Sequence, residues 1–374
     1  MKPGLILTGI AGLAASSAAA AAPACPNAAS AGAALRSARA ELIAIPPTPM
    51  AVGVSAVASR RIEAVKDRIR TLVQSQMACA PPEPEALATA LATAGGPAGD
   101  RHAIDYAVTR IRPDLLAVVA TLGIECGADS MLMLYERRAG RWSEVMVRRS
   151  APYRKVSGGW QELRFAVSPP DAGGGWFVAT VSTTPWCSSS WRTIRYGLAR
   201  RGPDAARPLL FLQGEAGDYM GDESEVTVKA ERDAFELRNT AGSIDSGILI
   251  RRHVRRYAVR GDKAVRVQPV AENVRDFVDE WIDSPWAEAK GWSAGDSALA
   301  AAHARLQSAR WKTLAGFASI RACKSGATQV EIAGNDAPGW FLLARGGAAG
   351  PWRLERAERR AISECDGPDR LGKN

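Results

Sequence analysis

The chain has 374 residues, is 47% hydrophobic and 23% charged, and carries a net charge of +9. It is too apolar for a disordered chain and long enough for one large or two ordinary domains. Its six cysteines include no close pair of the kind that holds zinc, and its three histidines leave little room for histidine-based catalysis.

Residues 1–24 read as a secretory signal peptide: Lys2 precedes an apolar, acid-free run, and small residues fill the region around Ala20 to Ala24. A membrane anchor fits less well, because the run from Ile10 onward is mostly Ala and Ser. No later segment is apolar enough to span a bilayer. The expected product is periplasmic or secreted. Cys25 follows Ala22, Pro23 and Ala24, a loose lipoprotein-like context without the usual Leu, so a soluble product is favoured over lipidation. In an exported chain an even cysteine count predicts disulfides, here drawing on Cys25, Cys79, Cys126, Cys187, Cys323 and Cys365.

Residues 25–98 form a helical N-terminal segment. An Ala-rich helix over 28–45 stops at Pro46 and Pro47. A second helix, near 55–77, carries Ile62, Val65, Ile69, Leu72 and Val73 on one stripe. A short third helix covers 85–93, before the breaker "GGPAGD". Cys25 and Cys79 bracket this region and could staple it.

From about residue 99 the pattern changes to short alternating strands that repeat. Tyr106 to Thr109 precedes a turn at Pro113 and Asp114; Phe165 to Ser168 precedes one at Pro170 and Asp171. Each leads to a Val-Ala-Thr strand, Val119 to Thr121 and Val178 to Thr180, and then to Cys126 or Cys187. Tyr135 and Tyr196 follow at matching distances, and Tyr257 keeps the same interval. An Arg/Gly pair follows each tyrosine: Arg138 and Gly140, Arg201 and Gly202, Arg260 and Gly261. Residues 99–270 thus hold three units. "DAPGWFLLA" at 336–344 echoes "DAGGGWFVAT" at 171–180, and "AGPW" at 349–352 echoes "AGRW" at 139–142. These mark a final β unit and tail at 313–374. The expected fold is mainly β, with repeated antiparallel units of about 60 residues forming a small β-propeller-like array. The helical segment precedes the array, and a two-helix insertion at 271–312 interrupts it.

In that insertion Val274, Phe277, Val278, Trp281 and Ile282 share one face, and Pro285 ends the helix. Asp276 and Glu280 share another face, as do Asp279 and Asp283. A solvated acidic face is the favoured reading of these carboxylates. The alternative makes Asp276, Asp279 and Glu280 the catalytic groups of a hydrolase of sugar or anionic polymers, because glycoside hydrolysis needs two flanking carboxylates. The densest basic run, Arg251 to Arg256, reads as an edge strand. Alternation puts Arg251, His253 and Arg255 on one side, able to meet a phosphate or carboxylate, and the neighbouring arginines should lower the His253 pKa. Trp186 and Trp191 flank the "CSSS" turn and are the tryptophans expected to be partly exposed, as a binding lip.

No motif names a reaction, a cofactor or a metal, and none is expected. The chain reads as a non-catalytic binding or scaffold module of the bacterial envelope. Its partner would be an anionic envelope polymer or another envelope protein, not nucleic acid. Cys126 and Cys187 stand at matching turns and are expected to pair. Thiol labelling of the native exported protein should therefore leave Cys187 unmodified; a reactive thiol there would refute the pairing.

Overall fold

The computed structural model describes residues 26–47, 53–79, 83–96, 99, 101–185, 189–220, 226–245, 250–309, 316–334, 339–346 and 350–371. The predicted signal peptide, Cys25, Trp186 and Cys187 lie outside the described residues.

Three helices come first: α1 (Pro26–Ile43), α2 (Ala56–Met77) and α3 (Pro84–Gly95). Ser55 caps α2 by accepting the Ala58 N–H at 3.0 Å. Among the described residues sixteen strands then form four separate four-stranded antiparallel sheets, each a simple meander in chain order. The first sheet is β1 (Ile104–Arg112), β2 (Leu115–Ile124), β3 (Gly127–Arg138) and β4 (Arg141–Arg149). The second is β5 (Gln161–Val167), β6 (Phe177–Thr183), β7 (Trp191–Arg200) and β8 (Leu209–Tyr219). The third is β9 (Thr227–Ala230), β10 (Ala234–Gly242), β11 (Ile250–Arg260) and β12 (Lys263–Val267). The insertion supplies α4 (Val274–Asp283), α5 (Trp286–Ala289) and α6 (Ser297–Ala309). The fourth sheet is β13 (Gly316–Ala322), β14 (Thr328–Ala333), β15 (Gly339–Arg345) and β16 (Trp352–Glu358).

The tyrosine interval has a structural meaning. Tyr135, Tyr196 and Tyr257 lie on β3, β7 and β11, the third strand of the first three sheets. The Arg/Gly pairs fall where the third strand turns into the fourth. Gly140 and Gly261 have positive φ there, which glycine adopts without steric cost. The two echoes of the last unit fare differently. "AGPW" and "AGRW" both enter a fourth strand, but "GWFLLA" lies on β15, a third strand, whereas "GWFVAT" leads into β6, a second strand. The shared Trp-Phe pair therefore marks burial, not equivalent position.

Side chains alternate across a strand, so each sheet has two faces to cover. One face of the first sheet, with Leu116, Val118, Met133 and Tyr135, packs on Leu35, Ile69, Leu72 and Leu91 of the helices. Its other face, with Leu115, Leu132 and Leu134, packs on Trp176 and Val178 of the second sheet. Phe177, Val181, Ile194 and Leu198 then meet Phe235, Leu237 and Tyr257 of the third. The Tyr196 and Tyr257 hydroxyls join these two sheets at 3.0 Å. The apolar face of α4 and Leu299 and Leu306 of α6 cover Phe317, Val330, Ile332 and Phe341 of the fourth sheet. Its opposite face is closed by the C-terminal tail, where Cys323 and Cys365 form a disulfide beside Leu342 and Ile362. Cys79 and Cys126 are each in a disulfide as well, with partners outside the described residues. Among the described residues no helix is long and apolar enough to cross a membrane.

Helix α2 hides a charge inside its apolar stripe. Lys66 Nζ is buried and donates to Asp129 Oδ2 at 3.0 Å, Ser150 Oγ at 2.8 Å and Glu63 Oε1 at 2.9 Å. Asp129 also accepts the Trp160 N–H at 3.0 Å, so the lysine fixes the approach to the second sheet. Removing one partner of such a pair strands the other in low dielectric. Lys66→Ala should lower stability by about 3–5 kcal/mol in equilibrium denaturation, a far larger loss than at the exposed pair Lys324–Asp366.

Candidate functional site

The two regions singled out by charge, the basic run and the acidic helix, are brought together. β12 pairs only with Arg256 to Arg260 of β11, so residues 250–255 have no strand on that edge. Helix α4 occupies it. The Arg252 N–H donates to Asp276 Oδ2 at 3.1 Å, and the Val254 N–H to the Val270 carbonyl at 3.3 Å. The helix starts here because the Asn273 side chain caps it, accepting the Asp276 N–H at 2.9 Å. A helix across a sheet edge removes the exposed ladder groups that would otherwise recruit another chain.

The acidic face of α4 is not solvated. Asp276, Asp279 and Glu280 are 0%, 1% and 2% exposed. Arg251, equally buried, reaches Asp279 at 3.1 Å, Glu280 at 2.7 Å and Asp283 at 3.3 Å. Glu280 also contacts His253 Nε2 at 2.9 Å and pairs closely with the Arg266 guanidinium. Arg266 continues to Glu288 at 3.1 Å and lies over the Trp292 ring at 5.0 Å. Asp279 accepts from Ser243 Oγ at 2.5 Å and the Ile244 N–H at 3.1 Å. Asp276 holds Arg275 at 2.7 Å. The expected open face is thus an internal clamp joining the third sheet to the helix that covers the fourth.

Burial sets the protonation states. The His253 pKa falls to about 3, chiefly because burial penalises the imidazolium; the neighbouring Arg255 and Arg251 are minor contributors. The fall has the direction expected from the neighbouring arginines, but burial is its main cause. Burial raises Asp279 to about 6, because Arg251 is shared among three carboxylates and cannot fully compensate. Burial would raise Glu280 too, but the charges around it, with Arg251 and Arg266 permanent among them, outweigh it and hold the carboxyl well below its ordinary range.

The remaining predicted residues are dispersed. Arg255 donates to Asn239 Oδ1 at 3.1 Å and lies over the Tyr196 ring at 5.8 Å, facing the second sheet. Trp191 is 40% exposed and packs on Tyr219 with ring centroids 5.1 Å apart. His303, on α6, donates its Nε2–H to the Ser284 carbonyl at 3.0 Å, edge-on to Trp281. It is a packing residue.

Two features escaped the sequence. The first is a cavity of about 310 Å3 between the first and second sheets, lined by Arg148, Trp160, Thr180 and Arg195 among others. The second is the convergence of the Arg/Gly hairpin tips. Glu136 on the first sheet accepts from Arg138 at 2.6 Å and from Arg201 of the second at 3.3 Å. Arg200 donates to the Gly261 carbonyl of the third at 3.1 Å. Repetition of Arg/Gly at a fixed interval was the available signal for this surface.

No family model matches the chain, and no curated protein matches it. A mannose phosphorylase from Leishmania mexicana, MPT-4, solved in complex with phosphate ion, is a similar structure at 10% identity and a TM-score of 0.22. The match covers 67% of this chain and 68% of that one. A likeness of that degree carries no argument here.

The clamp makes opposite demands on pH. His253 has a lowered folded pKa, so its contribution is complete above about 6.5 and is lost as pH falls toward 3. Asp279 has a raised folded pKa, so its contribution is complete below about 3.8 and is lost as pH rises toward 6. Between about 4 and 6 the two oppose each other. His253→Gln should leave stability falling with rising pH in that window, and Asp279→Asn should leave it rising, each by up to about 1.4 kcal/mol per pH unit. Urea titrations at several pH values measure both slopes; parallel slopes would contradict the assignment.

Proposed function

We propose that the protein is an exported, non-catalytic binding or scaffold module of the bacterial envelope, built as an open, propeller-like arc of four sheets. The observation that carries this reading is the closed clamp: Asp276, Asp279 and Glu280 are sealed in the interior and engaged by cations or backbone donors. A hydrolase acting through them would need substrate to displace Arg251 and Arg266. The disulfide state of Cys79, Cys126, Cys323 and Cys365 supports an oxidising, periplasmic or secreted location.

The same clamp removes Arg251 and His253 from the candidate binding surface, and Arg255 is turned instead to Asn239 and Tyr196. We place the contact with an anionic envelope polymer on the hairpin tips instead. Arg138, Arg141, Arg201, Arg207, Arg260 and Lys263 are all exposed on the tips of three adjacent sheets. Glu136, Asp204 and Asp262 stand among them, with Asp114 and Asp171 on the neighbouring hairpins, so these six cations exceed the five carboxylates by one. An array of cations on separate rigid hairpins suits a polyanion, whose charges are spaced along a chain.

Arg138→Gln, Arg201→Gln and Arg260→Gln combined should cut retention on an anionic polysaccharide column about tenfold at low salt, leave the thermal midpoint within a few degrees, and lose most of the difference at high salt. Unchanged retention would remove the surface from consideration. Hydrolysis of the column polymer by the parent protein, abolished by Glu280→Gln in a folded variant, would reinstate the enzyme reading.

A further inference from the structure

The cavity between the first two sheets contains a cation with no counter-ion. Arg148 lies on β4, opposite Leu132 of β3, and points toward the second sheet. It is 8% exposed. Among the described residues no carboxylate pairs with it; its Nη2 reaches only Thr180 Oγ1, at a long 3.4 Å. Its Nε has no hydrogen-bond partner. Burial alone acts on its pKa, lowering it to about 10, so it stays charged at neutral pH.

An uncompensated charge in the interior is costly, and proteins keep one where something else supplies the opposite charge. The surroundings look prepared for that. Trp160 backs the guanidinium, with 5.4 Å from Cζ to the ring centroid. Trp160 is itself fixed by the Asp129–Lys66 network. Gly197 lets the guanidinium come close to β7: a Cβ there would stand 3.0 Å from the Leu212 carbonyl and 3.5 Å from Arg148 Nη2. Thr180, Ser182 and Gln213 add hydroxyl and amide groups to the lining. Arg195 is neutralised by Glu215 at 2.7 Å, so the net charge of the lining is the single one on Arg148. The volume, about 310 Å3, falls at the low end of small-molecule sites, roughly 300–1,000 Å3.

We infer that this cavity is a binding site for a monoanionic carboxylate borne on a hydroxylated ligand, such as an acidic sugar unit, with Arg148 pairing the carboxylate and Thr180, Ser182 and Gln213 meeting the hydroxyls. A single charge and several neutral hydrogen-bonding groups match a carboxylate beside hydroxyls. A phosphate dianion would leave one charge unanswered beside Glu215. The inference deepens the binding-module reading by naming a ligand class, but it depends on separate residues from the hairpin-tip surface and can fail separately.

The test is calorimetric titration of the full mature chain with D-glucuronate, inorganic phosphate, acetate and D-glucose. Glucuronate should bind; acetate and phosphate should bind at least tenfold more weakly, and glucose should not bind. Arg148→Met should weaken glucuronate at least tenfold while leaving the thermal midpoint of the free protein equal or higher, because it removes an unpaired buried charge. Should that variant fail to fold, Thr180→Val and Gln213→Leu keep the cation and should each weaken glucuronate several-fold. The proposal is overturned by glucuronate that does not bind at tens of millimolar, by Arg148→Met binding it as tightly as the parent, or by phosphate or glucose binding more tightly than glucuronate. Loss of polymer retention in the hairpin-tip variant with glucuronate binding intact would separate the two surfaces.

Discussion

A four-stranded meander with apolar side chains on both faces must be covered twice, and that requirement organises this chain from end to end. The first sheet is covered by the helices on one side and the second sheet on the other. The second lies against the third. The fourth is covered by α4 and α6, and behind by the disulfide-bonded tail. An array built this way needs caps, because its terminal faces would otherwise expose large apolar surfaces. The N-terminal helices and the C-terminal tail are those caps. The insertion is the joint between the third and fourth sheets, where a strand edge and a sheet face have to be closed together.

The joint explains why a helix so rich in carboxylates is also so buried. Its apolar stripe covers the fourth sheet, so its other faces are carried against β11, where the edge of Arg251 to Val254 lacks a strand. Buried carboxylates are tolerated there only with cations and N–H groups in reach, and the basic run of β11 supplies them. The dense positive charge on that strand is therefore an internal requirement of the fold. Exchange of these charges for apolar groups of equal shape need not weaken the protein, but loss of one partner must, since the other stays buried.

Much of the architecture was legible. Period and proline breaks placed the helices, and the tyrosine interval marked three units because Tyr135, Tyr196 and Tyr257 recur on the third strand of three sheets. Position within the last unit was less legible: its Trp-Phe pair fits any buried strand, so the echo fell on the third strand in place of the second. The clamp was half visible. Arg251 and His253 were grouped with each other, as were Asp279 and Glu280, because alternation and helical spacing are local. Their meeting is tertiary, and it changed the meaning of both groups. Arg148 was hidden by a bulge. Tyr135 pairs with Glu144 and Leu134 with Met146, leaving Val145 unpaired. Plain alternation would put Glu144 and Arg148 on one face. The extra residue sends Glu144 to the helices, where it binds Arg70 at 2.9 Å, and sends Arg148 to the second sheet.

That bulge also decides how the buried cations differ. Lys66 and Arg251 each sit beside carboxylates brought by another element, and each joins two layers. Had β4 continued without its extra residue, Glu144 would share a face with Arg148 and could supply the missing charge. Instead the carboxylate is committed to Arg70 and Tyr135 on the far side of the sheet, and the guanidinium is left facing the cavity. Lys66 and Arg251 show that the fold can bring carboxylates to a deep cation. Among the described residues the Arg148 guanidinium is thus a buried charge left with one long hydrogen bond and no carboxylate, which the fold's own stability does not account for and which places its explanation in something the cavity receives.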